Sequence, residues 1–64
     1  MRTICTLFDA ETFTLIRVLD REAGELPILV QFNRNGRMTF GAYADMATAQ
    51  DRIREKYPDA VRVV

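Results

Sequence analysis

Apolar and β-branched residues fill Thr3 to Phe8, break at Asp9-Ala10-Glu11, and resume from Thr12 to Leu19. Two such runs around a short polar break predict a β-hairpin, with Asp9 capping the turn through its own side chain. In the second run Phe13, Leu15, Arg17 and Leu19 alternate with Thr12, Thr14, Ile16 and Val18, so both faces of that strand carry apolar side chains. The acidic segment DREAGELP, Asp20 to Pro27, contains a glycine and a proline and reads as a loop. A third strand, Ile28 to Asn33, follows, with Ile28, Val30 and Phe32 on one face and Leu29, Gln31 and Asn33 on the other. Asn35-Gly36 marks a hairpin turn, because a type I′ turn needs positive φ at both central residues and these two types tolerate it. Arg37 to Gly41 is then the fourth strand, with Met38 and Phe40 on one face.

Beyond Gly41 the apolar period changes from two to between three and four. Met46, Ala49, Ile53 and Tyr57 form one helical stripe, and Asp51, Arg52, Arg54, Glu55 and Lys56 occupy the rest of the surface, with Asp51 spaced to pair with Arg54. Asp45 is the expected N-cap, and Pro58 ends the helix by disfavouring the α region for Tyr57. Ala60 to Val64 forms a last short strand at a sheet edge. The chain is therefore expected to be one α+β domain over residues 1–64: an antiparallel four- to five-stranded β-sheet with one α-helix packed on one face, in the order ββββαβ.

One helix covers only one face of a sheet, and this sheet has apolar residues on both. With Val30, Phe32, Met38 and Phe40 against Met46, Ile53 and Tyr57, the far side keeps Leu29 and some of Ile16, Val18 and Leu7. Monomers rarely expose a contiguous apolar patch of several hundred Å². The expected partner or homodimer interface is accordingly Ile16, Val18 and Leu29, assisted by Tyr43 just before the helix.

Composition sharpens this expectation. A 64-residue chain has room for one thin core and needs reinforcement. Cys5 is its only cysteine and histidine is absent, so an internal disulfide and the common zinc sites are ruled out, which leaves oligomerisation. A lone thiol fits a reducing compartment, and Cys5 has no histidine to activate it. The start MRTICTLFDA has no signal-like apolar region of ordinary length, and no apolar run approaches a membrane span; the expectation is a cytoplasmic protein without membrane contact.

Serine is absent as well as histidine, and no glycine-rich phosphate cradle is present, so the reading is of a non-enzymatic protein with no cofactor. Asp20, Glu22 and Glu25 follow no calcium-loop pattern and sit beside Arg21, so no metal site is assigned. Formal net charge is zero, which removes a molecule-wide field for attracting DNA. Arg34 and Arg37 at the hairpin tip nevertheless form a candidate nucleic-acid contact, since a two-stranded ribbon fits the major groove and arginine reads guanine edges.

The segment NGRMTFGAYADMATAQDRI resembles the last hairpin and helix of arm-type DNA-binding domains of integrases, in which a three-stranded sheet precedes one helix. The resemblance spans under a third of the chain and carries no site residue over. Those domains are basic on the sheet, where this chain places Leu29, Ile16 and Val18. In size and in its lack of catalytic residues the chain also resembles small phage or prophage accessory and regulatory proteins. The function expected is protein–protein interaction, as a homodimer, with the alternative of a nucleic-acid-binding module at the basic tip.

Overall fold

Five strands and one helix follow each other as β1 (Arg2–Asp9), β2 (Thr14–Asp20), β3 (Ile28–Arg34), β4 (Arg37–Tyr43), α1 (Met46–Lys56) and β5 (Val61–Arg62). The structure, a computed structural model, describes all residues 1–64. The strands form one antiparallel sheet in the order β4-β3-β2-β1-β5, with the helix against one face, as the alternation of the sequence implies. After β4 the helix returns along the sheet, and β5 lands at the opposite edge, beside β1. Pairing there continues past β5 through Val63 N–H donating to the Thr6 carbonyl at 2.8 Å and Thr6 N–H donating to the Val64 oxygen at 3.1 Å.

Local chemistry places the breaks between elements. Asp9, only 2% exposed, accepts from both the backbone N–H and the hydroxyl of Thr12, and the hydroxyls of Thr12 and Thr14 lie 2.6 Å apart. The Asp9 carboxylate thus draws Thr12 into the turn, and β2 begins at Thr14 rather than at Thr12. In the same turn Phe13 has φ +55, in the left-handed region. At the β3–β4 turn Asn35 (φ +52) and Gly36 (φ +87) adopt the positive angles of a two-residue primed turn, and Asn33 Oδ1 accepts from the Gly36 N–H. Asp45 caps α1 by accepting from the Thr48 backbone N–H at 2.8 Å, and the helix closes with Tyr57 N–H donating to the Ile53 carbonyl.

The helix covers the face bearing Ile16, Val18, Ile28, Val30 and Phe32, and contributes Ala49 and Ile53 to the same core. Phe32 stacks on Tyr57 with ring centroids 5.6 Å apart, and Tyr43 packs against the cluster from β4. Three sequence expectations are corrected here. Ile16 and Val18, 0% and 1% exposed, belong to the helix-covered core and not to an interface. Tyr43 lies on the same covered side. Met38 and Phe40 lie on the opposite face, because the two-residue turn sets Arg34 opposite Arg37, and counting back from that pair puts Phe32 opposite Thr39 and Val30 opposite Gly41.

Candidate interaction surface

The face away from the helix is assembled in rows by the strand register. Near the hairpin tip Met38, Asn33, Leu15, Phe8 and Val61 line up from β4 to β5. The middle row is Phe40, Gln31, Arg17 and Thr6, and the third contains Ala42, Leu29 and Leu19. The outer rows are therefore mainly apolar, the first interrupted by Asn33, and the polar stripe between them ends at the β4 edge in Phe40. Within the stripe, Arg17 donates to the Thr3 hydroxyl at 3.4 Å. Gln31 Nε2 contacts the Met38 sulfur at 2.9 Å. Leu15, Met38, Phe40 and Val61 are exposed, Phe40 at 61%. Phe13, 66% exposed, extends the patch by packing edge-on against Phe8 at a 5.5 Å centroid distance. Of the residues expected from sequence, Leu29 alone lies on this face, where it is half-buried between Leu19 and Ala42.

The β4 edge adjoins this patch. A two-residue hairpin closes on a hydrogen-bonded pair, here Arg34 with Arg37, and such pairs alternate along antiparallel strands. Met38, Phe40 and Ala42 consequently turn their backbone N–H and C=O groups outward while placing their side chains on the open face. No proline or bulge interrupts these seven residues, and Arg37 is their only charge. An uncovered edge of this kind is a template for pairing with another strand.

The hairpin tip forms a second surface on the helix side. Arg34 and Arg37 stand directly across from one another, and Lys56 reaches the same spot with its Nζ 5.7 Å from the centroid of the Phe32 ring. The shallow cleft they line with Phe32 and Tyr57 contains no acidic side chain, and none of these three cations is in an ion pair. Lys56 was not among the residues picked out from sequence. Its place on the last helical turn before Tyr57 is visible in the chain, but its approach to Phe32 depends on how the helix lies on the sheet.

No group of three or more His, Cys, Asp or Glu side chains is close enough to hold a metal ion, and no buried side-chain nitrogen or oxygen lacks a hydrogen-bond partner. The Thr48 backbone N–H, followed by the Thr48 side chain, holds the Asp45 carboxyl below the ordinary carboxylate value. That shift is the signature of a helix cap. No helix is long and apolar enough to cross a membrane. Compared with protein-family models, curated proteins and solved structures, the chain matches none of them.

Proposed function

We propose that the protein is a non-enzymatic interaction module that works as a homodimer, joined through the β4 edge and the apolar part of the open sheet face. The observation that carries this reading is the coincidence at Met38 and Phe40 of outward backbone groups with exposed apolar side chains. An edge strand paired antiparallel with its own copy makes a self-complementary interface. Charge supports the same arrangement, because antiparallel pairing brings Arg37, at the start of one β4, toward Asp45, just past the end of the other. Covering about four large apolar side chains contributes roughly 6 to 12 kcal/mol gross at about 1.5 to 3 each. Association costs of about 4 to 15 kcal/mol offset much of that, so the dimer is expected to be of moderate affinity and concentration-dependent.

Light scattering after size exclusion, over a tenfold or wider concentration range, tests the proposal. Wild type should approach twice the 7.4 kDa chain mass as concentration rises. Phe40→Asp should remain a monomer with unchanged circular dichroism. Phe40 is a better position to change than Leu29, whose half-buried place inside β3 makes Leu29→Asp a burden on the fold itself. A wild type that stays monomeric throughout overturns the reading.

The convergence of Lys56 on Arg34 and Arg37 favours one second reading, a nucleic-acid contact at the hairpin tip. Like charges directly opposite each other in a sheet are destabilising, and a phosphate between them relieves that repulsion. Retention on duplex DNA or RNA at low salt, lost in Arg34→Ala/Arg37→Ala, is its expected outcome. Absence of retention at low salt removes it.

A further inference from the structure

The helix rests on β3 and β4, so the β1 side of the same sheet face is left without a helix over it. A cleft of about 300 Å³ opens there between α1 and the β1–β5 edge, at the lower end of the range typical of small-ligand sites. We infer that this cleft binds a small amphipathic carboxylate, with its apolar body against Leu7, Val18, Met46 and Ile53 and its head between Arg54 and Arg62.

The chemistry of the lining selects that class of ligand. Its walls are mostly apolar, no Asp or Glu lines it, and its two charged groups are both guanidiniums, one from the helix and one from β5. Guanidinium matches a carboxylate through two parallel N–H···O bonds. Each arginine has one partner in the chain and keeps donors to spare for a ligand. Arg54 pairs with Asp51 at 3.6 Å with both side chains more than two-thirds exposed, an ion pair that contributes little and exchanges readily. Arg62 donates through Nε to the Val64 oxygen at 3.2 Å, which orients the group and leaves its terminal nitrogens free. The cleft is on the helix side of the sheet, away from the open face, so ligand binding and self-association are separable.

Cys5, the only cysteine, lines the cleft and supplies a direct reporter. The probes are octanoate and octanol, which share an alkyl chain and differ in the head group. Octanoate should slow alkylation of Cys5 by iodoacetamide in a saturable way, with octanol needing an about tenfold higher concentration, the ratio expected for the loss of charge-assisted hydrogen bonds. Arg54→Gln/Arg62→Gln, with unchanged circular dichroism, should bind the acid no better than the alcohol. If Cys5 is too slow to alkylate even without ligand, methyl resonances of Leu7 and Ile53 provide the second readout, and they should shift with octanoate. Unchanged alkylation together with unshifted methyls overturns the inference, as does equal protection by the acid in wild type and the double variant.

Discussion

Phe13 is a bulky aromatic with left-handed backbone, mostly exposed, in a turn where glycine or asparagine would be at ease. Holding an L-residue there costs roughly 1 to 2 kcal/mol. Phe13→Gly removes that cost but loses the contact with Phe8, about 0.5 to 1.5 kcal/mol, and adds unfolded-chain entropy. The two effects nearly cancel, so urea unfolding of the monomer should change by no more than about 1 kcal/mol. Self-association at the β4 edge should be unchanged by light scattering, because Phe13 packs on Phe8 of β1, three strands away from the edge where the proposed dimer joins. Phe13 is thus held at a backbone cost that its own contact with Phe8 offsets, with no net gain to the monomer. Asp45 illustrates the opposite case, a residue explained by its own helix. Its pKa is depressed in the folded chain, so the stability it contributes is present above the ordinary value of 3.8 and is lost as pH falls through the lower folded value. Asp45→Ala should lower the melting temperature at pH 7, and the gap to wild type should close as a pH series descends below 3.8.

The β3–β4 hairpin shows how one element governs the use of both faces. Asn35-Gly36 is a two-residue turn, and a turn of that length fixes which β4 residues share a face with Phe32 and Val30. Gly41 then falls on the covered face, and the Tyr43 ring lies across it; a Cβ at Gly41 would sit 2.9 Å from Tyr43 Cζ. Gly41→Ala must therefore push the ring away, and overpacking of this kind costs about 1 to 3 kcal/mol. In the Tyr43→Ala background the same change should cost nothing, because its obstacle is gone. A double-mutant cycle by chemical denaturation measures this coupling, and additive effects would show that the ring does not depend on the glycine. Sequence periodicity located the strand and the turn correctly, and the register that separates Met38 and Phe40 from Phe32 was already implied by the turn length. Alternation within each strand, read without pairing the strands through the turn, put these residues on the wrong side.

At the scale of the molecule, ten of 64 residues are buried, so the core is thin and any further burial has a large effect. The accessible surface of 4373 Å² is close to the about 4,200 Å² expected of a compact chain of 7.4 kDa. The chain is thus as compact as a folded domain of its mass, with the apolar side chains of the open face still exposed. If two copies cover it, dimerisation stabilises the folded state by mass action, and the melting temperature should rise with protein concentration. Phe40→Asp should melt at one temperature regardless of concentration. A wild type whose melting point is equally insensitive would contradict the dimer.

The sequence by itself determined the α+β class, the order of its elements, the Asp9 turn, the Asp45 cap and the Asn35-Gly36 hairpin, because each of these depends on residues within a few positions of one another. It also determined that more apolar surface exists than a single helix covers. Only the tertiary structure decided which surface is left over. Ile16 and Val18 were interchangeable with Leu15 and Leu19 in a strand apolar on both faces, until pairing with β3 assigned Ile16 and Val18 to the helix. The edge chosen by β5, the approach of Lys56 to Arg34 and Arg37, and the cleft between Arg54 and Arg62 likewise join residues far apart in the chain. Their geometry is set by how the helix crosses the sheet, a packing outcome that no local pattern encodes.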